Sequence, residues 1–389
     1  MKLIVTMIVR DEDDVLEANL VHHLSQGADL VLVTDHRSED ATPEILDRYA
    51  RAGHVHVFRE GGADYLQQEW QQRMAQMAAT ELGADWVIGV DADEFWWPIT
   101  GTVAEALAAV PERYGIVSAP RPEFAARPED SRFFAERMVV REAVSNATLK
   151  VAHRAHPEVV VGHANHYVDG AGLVDAPAHP LRILHFPLRS LAQFEKRTAH
   201  RIREPARRSG SLPPGSELHR AYQEGRLAEA YAERVLTDEQ ADLGVREGRL
   251  AVDRRLEAFL AAHRDPTTGA FTVPPAPGSI PSGATPERET VGDDPLELEF
   301  DALQAITAHE RKWRERADKH KRGRVRAEMR LEEAKRKNEA LRDRLGALQE
   351  SRWARLGRSV AGRGKGAGSL GDGAQDPPRD SPGRASGSR

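Results

Sequence analysis

The stretch Trp86-Val87-Ile88-Gly89-Val90-Asp91-Ala92-Asp93-Glu94-Phe95 sets an apolar run directly before three acids. A run of that length and composition predicts a buried strand. On an extended chain, Asp91 and Asp93 point to the same side. They stand at the strand's carboxyl end, where open α/β sheets keep their ligands. Neighbouring carboxylates repel unless a cation lies between them. Hard divalent ions take one or two carboxylates plus phosphate oxygens. The stretch therefore points to a metal bridge toward a phosphorylated ligand.

Outward from this stretch, the first hundred residues alternate strand and helix signals. Leu3–Val9 predicts the first strand, and Leu16, Leu20, His23 and Leu24 share one helical face that ends at Gly27. Leu30–Thr34 predicts a second strand. Thr42-Pro43 predicts an N-cap with proline at the first helical position, and the helix runs on through Ile45, Leu46 and Tyr49. His54–Phe58 follows as a third strand, then a helix carrying Trp70, Met74 and Met77. Short connections between alternating strands and helices predict an α/β fold with a parallel, doubly wound sheet. From Gly101 to Pro187 shorter strand-like pieces (Gly115–Ala119, Met138–Val140, Val159–Val161, Leu181–Phe186) suggest a mixed-sheet half that shapes an acceptor pocket.

Bulk composition narrows the function classes. A chain of 389 residues exceeds one average domain, so one large domain with appendages is expected. A net charge of -6 gives no global nucleic-acid signal, and no nucleic-acid partner is expected. The absence of cysteine excludes disulfides, thiolate metal sites and cysteine nucleophiles. The early charge in Met1–Arg10 disfavours a signal peptide. No apolar run approaches the roughly 20 residues that span a bilayer. A cytoplasmic location is expected, with peripheral contact to the inner face of a membrane as an extension of it.

Three motifs in order carry a family resemblance. They are Met7-Ile8-Val9-Arg10-Asp11-Glu12-Asp13-Asp14, Thr34-Asp35-His36-Arg37-Ser38-Glu39-Asp40-Ala41-Thr42, and Asp91-Ala92-Asp93-Glu94-Phe95. Together they resemble the opening turn, the D-x-x-S-x-D-x-T element and the D-x-D of bacterial glycosyltransferase family 2-like enzymes. The resemblance covers about residues 1–200 and implies the GT-A (nucleotide-diphospho-sugar transferase) fold, a Rossmann-like sheet with helices on both faces. It implies a metal-dependent, inverting hexosyltransferase acting in cell-envelope or surface glycan synthesis. The donor would be a UDP- or GDP-linked sugar and the acceptor a glycan, a lipid-linked molecule or a small molecule, with Mn2+ or Mg2+ as cofactor. Arg10, Asp35 and Asp91 would contact the nucleotide, and Asp91, Asp93 and His185 the metal. Asp11 departs from the asparagine usual in the opening turn. A nucleotidyltransferase of the same fold class is the alternative, but its basic phosphate loop is replaced here by the acidic Arg10–Asp14 turn. A non-catalytic scaffold with a degenerate GT-A domain is the other.

The residues leave several roles open. Asp35 also fits an Asx turn. An acceptor hydroxyl needs a general base, and Glu94 and Asp169, with Glu123 and Glu158 beside them, all qualify by type. His163 and His166 fit a loop on the acceptor side better than a zinc pair, because zinc needs three or four assembled ligands. Lys150 and Arg154 fit phosphate neutralisation or solvated surface charge.

The domain plan reads 1–200 catalytic, 201–264 helical extension, 265–295 Pro/Gly-rich linker or loop, 296–357 charged helix and coiled coil, and 358–389 disordered tail. Leu331, Ala334, Asn338, Leu341, Leu345 and Leu348 form a heptad seam that would allow a homodimer through 327–348. The preceding Arg311–Arg326 segment, nine basic residues against two acidic, suits a solvated charged helix or a surface near anionic headgroups better than a bZIP-type DNA contact, since Gly323 interrupts it and the seam covers only about three heptads.

Overall fold

The computed structural model describes residues 1–62, 65–145, 149–177, 179–203 and 212–275. The expected coiled coil, the 327–348 dimer seam and the tail lie outside the described residues.

Four parallel strands form the heart of the molecule. They are β1 (Leu3–Val9), β2 (Leu30–Asp35), β3 (Val55–Arg59) and β4 (Trp86–Val90). Helices α1 (Leu16–Ser25), α2 (Thr42–Arg51) and α3 (Gln67–Thr80) connect them. Beyond β4 come β5 (Glu94–Pro98), α4 (Val103–Ala108), β6 (Ile116–Pro120), α5 (Phe134–Arg137), β7 (Val140–Glu142) and β8 (Leu149–Arg154). The central sheet runs β3-β2-β1-β4-β8-β6, with β8 antiparallel to both neighbours. Fold class follows the sequence expectation: a mixed α/β architecture with a mostly parallel six-stranded sheet.

Strand alternation divides β1 between two cores. Leu3, Val5, Met7 and Val9 face the layer built by α1 and α2, while Ile4 packs with Met74 and Ala78 of α3. Leu16, Leu20 and Leu46 are fully buried in the first layer. Each such side chain contributes roughly 1.5–3 kcal/mol of transfer free energy. Helices thus cover both faces, which explains why the parallel strands read as continuous apolar runs.

The remaining elements close the carboxyl-terminal edge. A short ribbon, β9 (Val160–Val161) with β10 (Val168–Asp169), flanks a 3-10 turn at His163–Asn165 that covers β4. Gly89 permits this cover, because a Cβ there would fall 2.1 Å from the Asn165 side chain. Strand β11 (Leu181–His185) pairs antiparallel with β5, setting Glu94 opposite His185. Then follow α6 (Leu191–Arg203), α7 (Glu217–Gln223), α8 (Leu227–Ala232), α9 (Asp238–Arg246), β12 (Leu250–Val252) and α10 (Arg255–His263). Strand β12 returns to pair with β7, held by Asp253 between Arg141 and Arg255. Residues 265–275 fold back on the body: the Thr272 N–H donates to His263 O, and His54 Nε2 donates to Pro274 O at 2.8 Å.

Two local expectations are corrected. Thr42 does not cap α2. Its hydroxyl accepts from the Glu12 N–H at 2.9 Å, while Asp40 Oδ1 accepts from the Thr42 N–H. The D-x-D is not extended either. It folds into a turn closed by the Glu94 N–H donating to Asp91 O at 3.0 Å, after which β5 pairs with β11.

Candidate functional site

The three acidic motifs leave the carboxyl ends of β1, β2 and β4, adjacent strands of one sheet, so topology alone brings them side by side. Asp11 adopts φ 55°, a left-handed conformation that Asp and Asn tolerate better than other L-residues. In that pose its Oδ1 accepts from the Glu39 N–H at 2.6 Å and its own N–H donates to the Ser38 hydroxyl. The β1 and β2 turns are thereby tied together. Asp35 is buried; Oδ1 accepts from the Ser38 N–H at 3.2 Å, and Oδ2 pairs with Arg59 at 2.6 Å. Asp35 thus occupies the Asx-type turn that its sequence position permits. Its neighbour His36 packs against Tyr65 and Trp70. Arg10 is half-buried at the end of β1, beside Asp11 and His200.

Around the D-x-D turn, acids and cations alternate. Lys150 of β8, only 1% exposed, places Nζ 2.7 Å from Asp91 Oδ2 and 2.6 Å from Glu94 Oε2. Arg121 lies 3.1 Å from Glu94 Oε1 and 3.1 Å from His185 Nε2. The His185 ring stands between Asp93 Oδ2 at 3.7 Å and Glu123 Oε1 at 3.4 Å. Asp93 Oδ2 also meets Arg197 at 3.2 Å and Arg189 at 3.6 Å. The fully buried Arg189 reaches on to Glu12 at 2.6 Å and Asp14 at 2.7 Å.

This arrangement shifts the acidities of the cluster. Burial opposes ionisation of Asp93, yet His185, Arg197 and Arg189 outweigh it and hold its carboxyl well below the usual range. Burial likewise opposes Asp91, and Lys150 overrides it, leaving the carboxyl lowered. For Glu94 burial prevails and raises the carboxyl despite Lys150. Burial also pushes Glu12 up to about 7, against the pull of Arg189. His185 titrates above its ordinary value: burial disfavours its charge, but Asp93, Glu123 and Glu94 favour it more. Glu123 is lowered, chiefly by its hydrogen bond with His185.

The structure therefore gathers Asp91, Asp93, Glu94, Glu123 and His185 at one place. Glu94 is 0% exposed and held by two cations, whereas the Glu123 side chain is 38% exposed. Asp169 lies exposed on β10, where its Oδ1 accepts from the Gly170 N–H, and Glu158 is exposed at the same end of that ribbon, its carbonyl beside Gly170. His166 Nδ1 donates to Leu149 O at 2.7 Å, and Arg154 donates to Tyr114 O and Val110 O.

Arg121, Arg189 and Arg197 escape a motif reading. Arg189 lies four residues past His185 in the run Ile183–Ser190, and only tertiary pairing distinguishes it from the chain's many arginines. Helix α6 adds a lysine and a histidine over the same turns, the histidine lowered by burial and by Arg10. Lys196 lies 3.1 Å from Asp40, and His200 Nε2 lies 3.2 Å from Asp11.

Among the described residues, no three His, Asp or Glu side chains converge as a ready-made metal cage. A hard divalent ion bound to a diphosphate asks less of the protein, one or two carboxylates. The Asp91 carboxylate, 43% exposed with only Oδ2 engaged by Lys150, fits that requirement, and the neighbouring Asp93 supplies a second hard oxygen donor. The His185 ring nitrogens face the Glu123 and Asp93 carboxylates at 3.4 and 3.7 Å and the Arg121 guanidinium at 3.1 Å.

No family model matches the chain, and no curated protein matches it. Several solved structures are similar to it. The mannosyltransferase PcManGT from Pyrobaculum calidifontis, in complex with GDP-Man and Mn2+, is 19% identical over 67% of this chain and 79% of its own, with a TM-score of 0.33. S. aureus TarS 1-349 in complex with UDP is 13% identical over 59% of this chain and 70% of its own, at a TM-score of 0.31. Glucosyl-3-phosphoglycerate synthase from Mycobacterium tuberculosis, with Mn2+, UDP and glucosyl-3-phosphoglycerate, is 19% identical over 31% of this chain and 44% of its own, at a TM-score of 0.23. Among the described residues, no helix is long and apolar enough to cross a membrane.

Proposed function

We propose that the chain is a glycosyltransferase that moves a sugar from a UDP- or GDP-linked donor to an acceptor hydroxyl. The observation that carries this reading is the D-x-D turn. Its carboxylates stand at the carboxyl end of β4, beside the β1 and β2 turns, inside a ring of fixed cations. Such a ring suits a reaction whose leaving group is a nucleoside diphosphate, because charge accumulates on that group as the glycosidic bond breaks. Arg197, whose side chain is 45% exposed, and the exposed edge of the Lys150–Asp91 pair face the solvent side where a donor would enter.

Glu123 is the general base in this reading. It is ionised, partly exposed and hydrogen-bonded to His185, whereas Glu94 is sealed beneath Lys150 and Arg121. The acceptor oxygen would attack the anomeric carbon as its proton passes to Glu123, and the carbon–oxygen bond to the diphosphate would break. A single base with direct displacement inverts the anomeric centre. Asp91 and Asp93 would hold a Mn2+ or Mg2+ ion, which would add positive charge beside the diphosphate. Arg197 and His185 would orient the phosphates of a bound donor, and they balance Asp93 without it.

Calorimetric titration with UDP and GDP in the presence of Mn2+ tests the site. Binding of one nucleotide by the native chain, lost in Asp93→Ala, supports the reading. Absence of binding for both nucleotides, with and without the ion, would favour a non-catalytic scaffold.

A further inference from the structure

One edge of β5 pairs with β11, and among the described residues no strand pairs with the other edge. That second edge is buried, so its peptide groups need partners other than water. Helix α1 supplies them from side chains. Asn19 Nδ2 donates to Ala92 O at 2.9 Å and to Glu94 O at 2.8 Å, with Asp91 O at 3.5 Å. Its Oδ1 accepts from His23 Nδ1–H at 2.8 Å, which sets the amide's orientation. His23 Nε2 is then the acceptor for the Trp96 N–H at 3.4 Å, and His22 Nε2–H donates to Trp96 O at 2.8 Å.

The spacing is systematic. Residues 94 and 96 present their peptide groups to one side of β5, the Ala92 carbonyl of the preceding turn points to the same helix, and positions 19, 22 and 23 share one helical face. Three polar side chains of α1 thus substitute for a neighbouring strand. Asn19, His22 and His23 are all buried, and His22 stacks on Trp97, so none of them can swing away to solvent. The segment they grip begins at Asp91, and Asp93 lies between two of the carbonyls that Asn19 holds.

We infer that Asn19, His22 and His23 are positioning residues that set the D-x-D turn, and through it the Asp91 and Asp93 carboxylates. The inference rests on the nucleotide-binding reading above for its functional consequence, and on the backbone contacts alone for its structural one. Removing a comparable outer partner of a ligand-bearing group weakens binding by about 10- to 100-fold.

Two readouts on the full chain separate these levels. Hydrogen exchange of the Asp91–Trp97 amides reports the grip without any ligand. Affinity for UDP or GDP with Mn2+ reports its consequence. Asn19→Ala and His23→Leu are expected to speed exchange in that segment and to weaken nucleotide binding about tenfold or more. His23→Gln, which keeps one donor and one acceptor, is expected to restore both. Leu107→Ala, a buried apolar deletion on α4, is the control for general destabilisation. The inference is overturned if exchange in the segment stays native in both His23→Leu and Asn19→Ala. Nucleotide affinity that falls equally in Leu107→Ala at matched thermal stability also overturns it. If the native chain binds neither nucleotide, the functional reading fails, and the exchange data alone still decide the grip.

Discussion

The β1 and β2 turns and the D-x-D turn are all acidic, lie side by side and share the distant cation Arg189, yet their backbones are held differently. The first two hold each other through short-range contacts between polar side chains and backbone N–H groups: Asp11 on Glu39, Ser38 on Asp11, Thr42 on Glu12. The D-x-D turn is held from far along the chain. Its carbonyls are gripped by Asn19, and its carboxylates by Lys150, His185, Arg189 and Arg197. Hydrogen bonds to neutral backbone groups set shape at modest energetic stake. Buried opposite charges set both shape and potential, and each becomes a liability when its partner is removed.

Substitutions should expose that difference. The largest effect is expected at Asp93, whose loss leaves His185, Arg189 and Arg197 facing one another. Asp93→Ala should lower turnover by about 10²–10³-fold, the scale for removing a charge-ordering group from a polar site, as measured by nucleoside diphosphate release. Lys150→Met should follow closely and act on stability too. It strips the buried Glu94 of one of its two cations, a change that typically costs about 3–5 kcal/mol in denaturant unfolding. Retention of native stability by Lys150→Met would contradict the described ion network.

Glu123→Gln separates chemistry from binding. It should reduce kcat by about 10²-fold or more while nucleotide affinity changes little, because Glu123 meets the cluster only through His185 and a long contact to Arg121. Equal losses in affinity and kcat would assign it to binding instead. In the first two turns, Thr42→Val should cost only about 1 kcal/mol, read by thermal unfolding. Lys196→Ala, which breaks an exposed pair with Asp40, should cost less than about 1 kcal/mol.

Acid provides an independent probe. His23 and His153 are buried and lowered to about 4, mainly by burial, against an ordinary value near 6.5. The unfolded chain therefore binds more protons than the folded one between those values, and stability falls as pH drops from about 6.5 toward 4. Each histidine contributes a slope of up to about 1.4 kcal/mol per pH unit in that window. Asp253, lowered to about 2 by Arg255 and Arg141 against its burial, loses its contribution only below about pH 4. His23→Gln should reduce the slope in the upper window, where His153 still titrates, and leave the lower one intact in pH-dependent unfolding.

The same contrast explains what the sequence made legible. The first four strands and three helices were readable because their burial is local and periodic, as in Leu3–Val9 and Leu16–Leu24. The strand-end acids were readable because parallel topology converts sequence position into spatial position. The partners of those acids were not. Lys150 reads as one lysine in a loosely patterned region, and only the insertion of β8 beside β4 places it under the D-x-D turn. His23 read as part of an apolar helical face, and Asn19 gave no signal, because polar groups inserted into a core leave periodicity intact. The segment Glu94–Pro98 merged with the motif before it, so β5 was invisible until its pairing with β11 appeared.

The most direct measurement is nucleoside diphosphate release by the full chain, with Mn2+ and a panel of UDP- and GDP-linked sugars, run beside Asp93→Ala and Glu123→Gln. The predicted result is release from at least one donor when a suitable acceptor is present, strongly reduced in both variants. Release that persists undiminished in Asp93→Ala, or a native chain that neither binds nor turns over any of these donors, would contradict it.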